Sequence, residues 1–289
     1  MTRLGLAFTP TLPPESLPAI ATAADGHLDD LWVWEDCFKQ SGLASAAVAL
    51  ALTTRLRVGI GLMPAPLRSV ALAAMEVATL ARTFPGRLVP GVGHGVQSWM
   101  GQAGVRVDSP LTLLREYAAA LRSLLAGQEV SAQGRYVQLD RVKLDWPPDP
   151  APLVMSGGQG PKTLALAGTF ADGILLAAGV SEDDLERSLR SALAERPADL
   201  PAPEVVHSLI VATGDDAEAR LATEYAVWDV EDAPGRGVAG DAATVAEAVR
   251  RLGQRGATTV VLQPTADLDA DGVVRLTEFA GREVRPLLT

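Results

Sequence analysis

The feature that most constrains this chain is an alternation of strand and helix patterns that runs almost from end to end. Short apolar or period-two runs at Arg3 to Phe8, Asp30 to Trp34, Leu56 to Met63 and Arg87 to Val92 are bounded by Pro, Gly or charge and read as strands. Between them, Glu15 to Ala24, Ala44 to Thr54 and Ser69 to Thr83 have helical spacing, the last with Val70, Ala74, Val77, Ala78 and Ala81 on one face. The series resumes with a helix near Leu111 to Leu125, strand Pro152 to Met155, helix Pro161 to Phe170, strand Gly173 to Ala177 and helix Glu182 to Ala194. It ends with strand Val205 to Ala212, helices Ala217 to Trp228 and Ala243 to Leu252, strand Thr258 to Gln263 and a helix near Val273 to Leu287. About eight βα units without a linker, in 289 residues, is the count and length of one (β/α)8 TIM barrel, a single domain over residues 1–289. A doubly wound open sheet has the same local period and stays as the alternative.

Two segments fall outside the repeat. Glu129 to Leu144 has Gln133-Gly134 between alternating runs, which predicts a small β-hairpin insertion. Val230 to Gly240 mixes Gly, Pro and acids between two helices, which predicts a mobile loop.

Charge and composition narrow the partners. With 25 basic and 35 acidic residues the net charge is −10, which argues against a nucleic-acid surface and for a small-molecule substrate. The N-terminal MTRLGLAFTP is too short and too broken by proline for a signal peptide or a membrane span, so the expected compartment is the cytoplasm and no membrane partner is expected. Cys37 is the single cysteine and the three histidines are scattered, so no disulfide and no metal site is expected. Nothing in the sequence places a base beside Cys37, which reads as a packed small residue or pocket wall.

The stretch Ser156 to Gly160, SGGQG, follows a strand and precedes a helix whose first residue is Pro161, where the missing N–H costs nothing. Glycines there let backbone N–H groups approach an anion, and the helix dipole favours a phosphate; a plain tight turn is the competing reading. The turn is neither a P-loop nor a complete dinucleotide fingerprint. Gly59-Ile60-Gly61 and Gly91-Val92-Gly93-His94-Gly95 lie in or after strands, where missing side chains leave room for a flat ring or for tight barrel packing. Trp32, Trp34, Phe38 and Trp99 read either as pocket surface or as core.

These residues carry a resemblance over nearly the whole chain. LGLAFTP, LWVWEDCF, RVGIGLMPAP, FPGRLVPGVGHG, GRYVQLDRVKL, SGGQGPKTLALAGTFADGILLA and AGDAATVAEAVRRLGQRGATTVVLQP stand in the order of the bacterial-luciferase-like superfamily of flavin and deazaflavin oxidoreductases. Gln159 to Lys162 followed by Ala171-Asp172-Gly173 resembles the branch that uses coenzyme F420 more than the FMN branch. The resemblance implies that Gly157, Gly158, Gln159 and Gly160 bind the cofactor phosphate, joined by Ala177, Ala178 and Gly179. It also implies a non-prolyl cis peptide at Gly61-Leu62 beside the deazaflavin ring, with Gly93 at the same mouth. The chain departs from the branch where Asp-His is usual after the second strand: it has Glu35-Asp36-Cys37, so either Glu35 or Asp36 aligns with the acid and no histidine follows.

Hydride transfer needs a positioned acid or base to complete its proton balance, and imidazole titrates near neutrality, so His94, Glu35 and Asp36 are the catalytic candidates. For His94 the competing role is a loop hydrogen bond; for the acids it is a helix cap or an arginine pair. The leading reading is an oxidoreductase moving a hydride between F420 and a small organic substrate. The alternatives are an FMN-dependent monooxygenase served by a flavin reductase, and a flavin-binding barrel without turnover. The resemblance also implies a homodimer. Substrate choice falls to the loops near Val96 to Pro110 and Val230 to Gly240, and the acidic tail of F420 calls for a basic patch, for which Lys162 and Arg236 are the candidates.

Overall fold

A computed structural model describes residues 2–288. In chain order the elements are β1 (Arg3–Phe8), α1 (Leu17–His27), β2 (Asp30–Val33), α2 (Gly42–Leu52), β3 (Arg57–Pro64), α3 (Val70–Thr83), β4 (Leu88–Gly93), α4 (Gln97–Gln102) and α5 (Pro110–Leu125). They continue with β5 (Val130–Gln133), β6 (Gln138–Val142), β7 (Met155–Gly157), α6 (Pro161–Phe170), β8 (Gly173–Leu175), α7 (Glu182–Leu193) and β9 (Glu204–Ala212). The last are α8 (Ala217–Val227), β10 (Gly237–Ala239), α9 (Ala242–Gln254), β11 (Thr259–Pro264) and α10 (Ala270–Phe279).

The strands run β1-β2-β3-β4-β7-β8-β9-β11 and close by the parallel pairing of β11 with β1, for instance Leu6 opposite Leu262. Closure settles the choice between barrel and open sheet, and β5 and β6 form the antiparallel hairpin. Glu116 of α5 holds the hairpin tip by accepting from the N–H groups of Arg135, Tyr136 and Val137 at 2.9, 2.8 and 3.0 Å.

Side chains alternate between two cores, as the strand period requires. Leu4, Leu6, Val58, Ile60, Leu209 and Leu262 face the helices, whereas Ala7, Trp32, Val89, Met155, Leu175, Val206 and Val261 fill the barrel. The barrel's N-terminal end is closed by charge. Fully buried Asp30 pairs with Arg3 at 2.7 Å and with Arg57 at 2.8 Å, and Arg57 reaches Glu204 at 2.9 Å.

The structure corrects three local expectations. The fifth barrel strand starts only at Met155, since Pro150 and Pro152 have no N–H to give a ladder. The 96–110 loop contains α4. Most consequential, Val230 to Gly240 is not a free loop: Pro234 accepts from the Glu182 N–H, Gly235 accepts from His207 Nε2, and Gly237 to Ala239 pair with β9 as β10.

α8 is not one of the eight outer helices. The upper half of β9 turns Ile210 and Ala212, in the inward register of Val206, onto Ala217, Leu221 and Tyr225 of α8. That helix therefore lies over the C-terminal mouth of the barrel, the end where barrel loops build sites.

Candidate functional site at the barrel mouth

The two carboxylates after β2 have separate fates. Glu35 receives both guanidinium nitrogens of Arg68, at 2.7 and 3.2 Å, and the Gly42 N–H at the start of α2, at 3.2 Å. Its side chain is only 8% exposed, and Arg68 is held from its other side by Glu76 at 3.5 Å. Glu35 thus anchors the rim loop.

Asp36 is half-buried and its carboxyl makes no hydrogen bond among the described residues. Burial raises its pKa, and the nearby Lys39 ammonium only partly offsets this. Of the two adjacent acids, Asp36 is the one whose carboxyl has no hydrogen-bond partner among the described residues. Burial, followed by the charges of Glu35 and Asp36, also pushes the Cys37 thiol up, so it stays protonated and is a poor nucleophile.

The Gly61–Leu62 peptide is cis and interrupts the β3–β4 register between Ile60 and Met63. The neighbouring glycines admit this chain's own side chains. A Cβ at Gly59 would lie 2.4 Å from the Trp32 ring, one at Gly91 2.4 Å from Leu175 Cδ1, and one at Gly93 2.6 Å from Leu62 Cδ2. Of the two readings for these clusters, tight packing therefore accounts for the room itself; at Gly61 a Cβ would still keep 3.3 Å from Trp32.

The turn after β7 is different. Gly157 and Gly158 are enforced by neighbours, with a Cβ 2.3 Å from the Leu175 carbonyl and 2.6 Å from Thr163 Cγ2 respectively, but at Gly160 a Cβ would meet nothing within 4 Å. Gly160 is the N-cap of α6, no side chain caps it, and the first turn carries no acid. The helix end is open and electropositive. Gln159 and Lys162 are exposed, and Lys162 has no ion pair among the described residues. Ala177 and Ala178 are half-buried after β8, and Gly179 takes φ +75 under Val230 of the segment that follows α8.

His94 lies beside this turn. Its Nδ1 sits 2.9 Å from the Gly95 carbonyl, which accepts the ring N–H, and its Nε2 lies 3.5 Å from Thr163 Oγ1 in the first turn of α6. The structure therefore brings His94 together with the 157–160 turn, and leaves Asp36 on a separate loop. Arg236 is committed to Asp184 at 3.6 Å and to the Glu231 carbonyl, so it adds no free charge.

Sequence reasoning missed Trp228. At the end of α8 its indole N–H donates to Glu224 at 2.8 Å, and its ring meets Trp34 edge to face at 6.0 Å and 84°. Trp34 is one residue beyond β2 and packs on the barrel-filling cluster with Leu62. No spacing rule links residues so far apart in sequence. Among the described residues no group of three His, Cys, Asp or Glu could hold a metal ion, and no helix is long and apolar enough to cross a membrane.

The sequence model described as luciferase-like monooxygenase matches residues 5–273. A 5,10-methylenetetrahydromethanopterin reductase of Methanolobus tindarius is 30% identical over 181 residues, covering 62% of this chain and 55% of that protein. The chain thus aligns with little more than half the length of that relative. The structure of the coenzyme F420-dependent tetrahydromethanopterin reductase of Methanopyrus kandleri superposes with TM-score 0.83 at 21% identity, covering 100% of this chain and 99% of the other. The oxygenating part of 3,6-diketocamphane monooxygenase of Pseudomonas putida, solved with FMN, gives TM-score 0.75 at 18% identity and 99% coverage of each chain.

Proposed function

The chain belongs to the luciferase-like monooxygenase family, and from that premise we propose that it is a cytoplasmic F420-dependent oxidoreductase, moving a hydride between the deazaflavin and a small organic substrate. The observation that carries the reading is the open, acid-free N-terminus of α6 after Ser156 to Gly160, with unpaired Lys162 in its first turn. Its chemistry fits a phosphate: free backbone donors, a favourable dipole and one cation.

Gly157, Gly158, Gln159 and Gly160 would hold that phosphate, with His94 beside them, Ala177 to Gly179 as a second wall and the Gly61–Leu62 bulge under the ring. The deazaflavin supplies a hydride donor or acceptor carbon when bound. Asp36 would carry the proton that accompanies the hydride, its pKa raised by burial. Glu35 and Arg68 fix the loop that presents it, and α8 with Trp228 excludes water from above.

Side-by-side titration of the purified protein with F420 and FMN, read by calorimetry or cofactor fluorescence, tests this. Saturable binding of F420 with FMN at least tenfold weaker is expected. Preference for FMN would replace the reading with an oxygen-dependent monooxygenase, which the likeness to the FMN-bound barrel supports; binding of neither would leave a barrel without this redox role.

We further infer a homodimer through α2 and α3. α2, GLASAAVALAL, carries no charge and exposes Val48 and Leu52, and Leu72 and Met75 of α3 are exposed beside it. Sedimentation velocity is expected to give twice the 30.2 kDa chain mass, and Met75→Glu to shift it toward monomer.

A further inference from the structure

We propose that the substrate admitted by this mouth is a neutral, largely apolar ketone or alcohol held against Trp34 and Trp228, and not a phosphorylated or carboxylated one; this rests on the oxidoreductase reading above. The mouth carries several large apolar side chains. Trp34 and Trp228 stand edge to face at 6.0 Å, Trp34 continues into Leu62, and Phe38 after β2, Val96 after β4 and Val227 on α8 are all exposed. Exposed large apolar groups on the segments that follow barrel strands and on the helix over the mouth mark a binding surface.

The charge pattern on the α8 side points the same way. Arg236 is held by Asp184 and Arg220 by Asp267 at 2.8 Å, so neither guanidinium is free to pair a substrate anion. Asp229 and Glu231, exposed beside Trp228, form no ion pair among the described residues and repel anions. A carbonyl or hydroxyl oxygen needs only one proton partner, and half-buried Asp36 is available on the loop after Trp34. In the oxidising direction the alcohol carbon gives its hydride to the deazaflavin and the hydroxyl gives its proton to the Asp36 carboxylate; reduction of the ketone reverses both transfers.

The test measures binding and turnover separately. Acetophenone and 1-phenylethanol serve as apolar probes, glucose 6-phosphate and lactate as anionic ones, with binding read by ligand-observed NMR with and without F420, and turnover by F420 absorbance. The expected result is saturable acetophenone binding at least tenfold tighter than either anion. Trp228→Ala should raise the acetophenone Kd and KM about tenfold with a smaller change in kcat, and Trp228→Phe should restore most of the loss. Trp228 is at the surface end of α8, and far-UV circular dichroism checks that the variants fold. Tighter binding of an anion, or an acetophenone Kd unmoved by Trp228→Ala, overturns the proposal. Acetophenone binding that depends on Trp228 in a protein that fails to bind F420 would leave the apolar site standing and remove the cofactor reading instead.

Discussion

Replacing Glu35 with Gln and Asp36 with Asn separates two neighbouring acids by opposite outcomes. In the fold, Glu35 accepts two charge-assisted bonds from Arg68 and one from the Gly42 N–H, at a side-chain exposure of 8% against 13% for Arg68. Breaking a buried pair costs about 3–5 kcal/mol when the remaining charge has no partner. Here Arg68 keeps Glu76 at 3.5 Å and the amide still accepts one bond, which reduces the expected loss to about 2 kcal/mol. Urea unfolding at pH 7 reads that loss directly. Asp36→Asn should do the reverse. Because burial raises the folded pKa of Asp36 above its unfolded value, its contribution is fully present below the unfolded pKa and is lost as pH rises through the folded one. The uncharged amide escapes that loss, so the variant should match wild type in acid and be the more stable protein at pH 7. Its turnover should fall about 100-fold or more, the usual worth of a positioned proton carrier. A destabilised Asp36→Asn protein with normal turnover, or a Glu35→Gln protein as stable as wild type, would refute the division of roles.

Gly160→Val places a side chain in open space at the α6 N-cap, so its stability should stay within about 0.5 kcal/mol of wild type while F420 affinity falls at least tenfold by calorimetry. His94→Ala should weaken F420 binding more than it lowers kcat, since His94 lies against the first turn of α6; a kcat effect alone would return it to proton transfer. Lys162→Glu should weaken F420 binding and flatten its dependence on salt, compared by titration at low and high ionic strength. Asp30→Asn leaves Arg3 and Arg57 facing an amide in the closed end of the barrel and should cost about 3 kcal/mol in urea unfolding with cofactor affinity unchanged.

The barrel was legible because each strand and helix announces itself locally. Ser69 to Thr83 and Pro161 to Phe170 match α3 and α6 within a residue, their starts marked by Ser69 as N-cap and Pro161 as N1. The glycine turn after β7 was legible for the same reason. What escaped depends on contacts between distant residues. α8 has the amphipathic pattern of an outer barrel helix, and only the inward register of Ile210 and Ala212 shows that it covers the mouth. Glu35 and Asp36 are indistinguishable in sequence, because the Arg68 that commits Glu35 lies 33 residues away. Gly59 and Gly93 signal close approach without saying by what, and the occupants are Trp32 and Leu62.

The uneven charge of the rim bears on how a chain of net charge −10 holds an anionic cofactor. The proposed phosphate turn would fit FMN as well as F420, since one helix terminus and Lys162 suffice for one phosphate. On that reading, discrimination would come from beyond the phosphate, where an acidic F420 tail would leave the mouth. On the side of β9 to β11 that tail would pass exposed Asp215, Asp216, Asp229 and Glu231, with Arg236 already committed to Asp184. On the side of β2 to β4 the loops carry exposed Lys39 and Arg106, neither in an ion pair among the described residues. At physiological salt the screening length is about 8 Å, so the tail responds to the charges of the loop it crosses and not to the total of the chain. Local arrangement rather than net charge therefore decides the affinity. An acidic protein can hold an acidic cofactor provided the tail lies on the Lys39 and Arg106 side, away from Asp215, Asp216, Asp229 and Glu231.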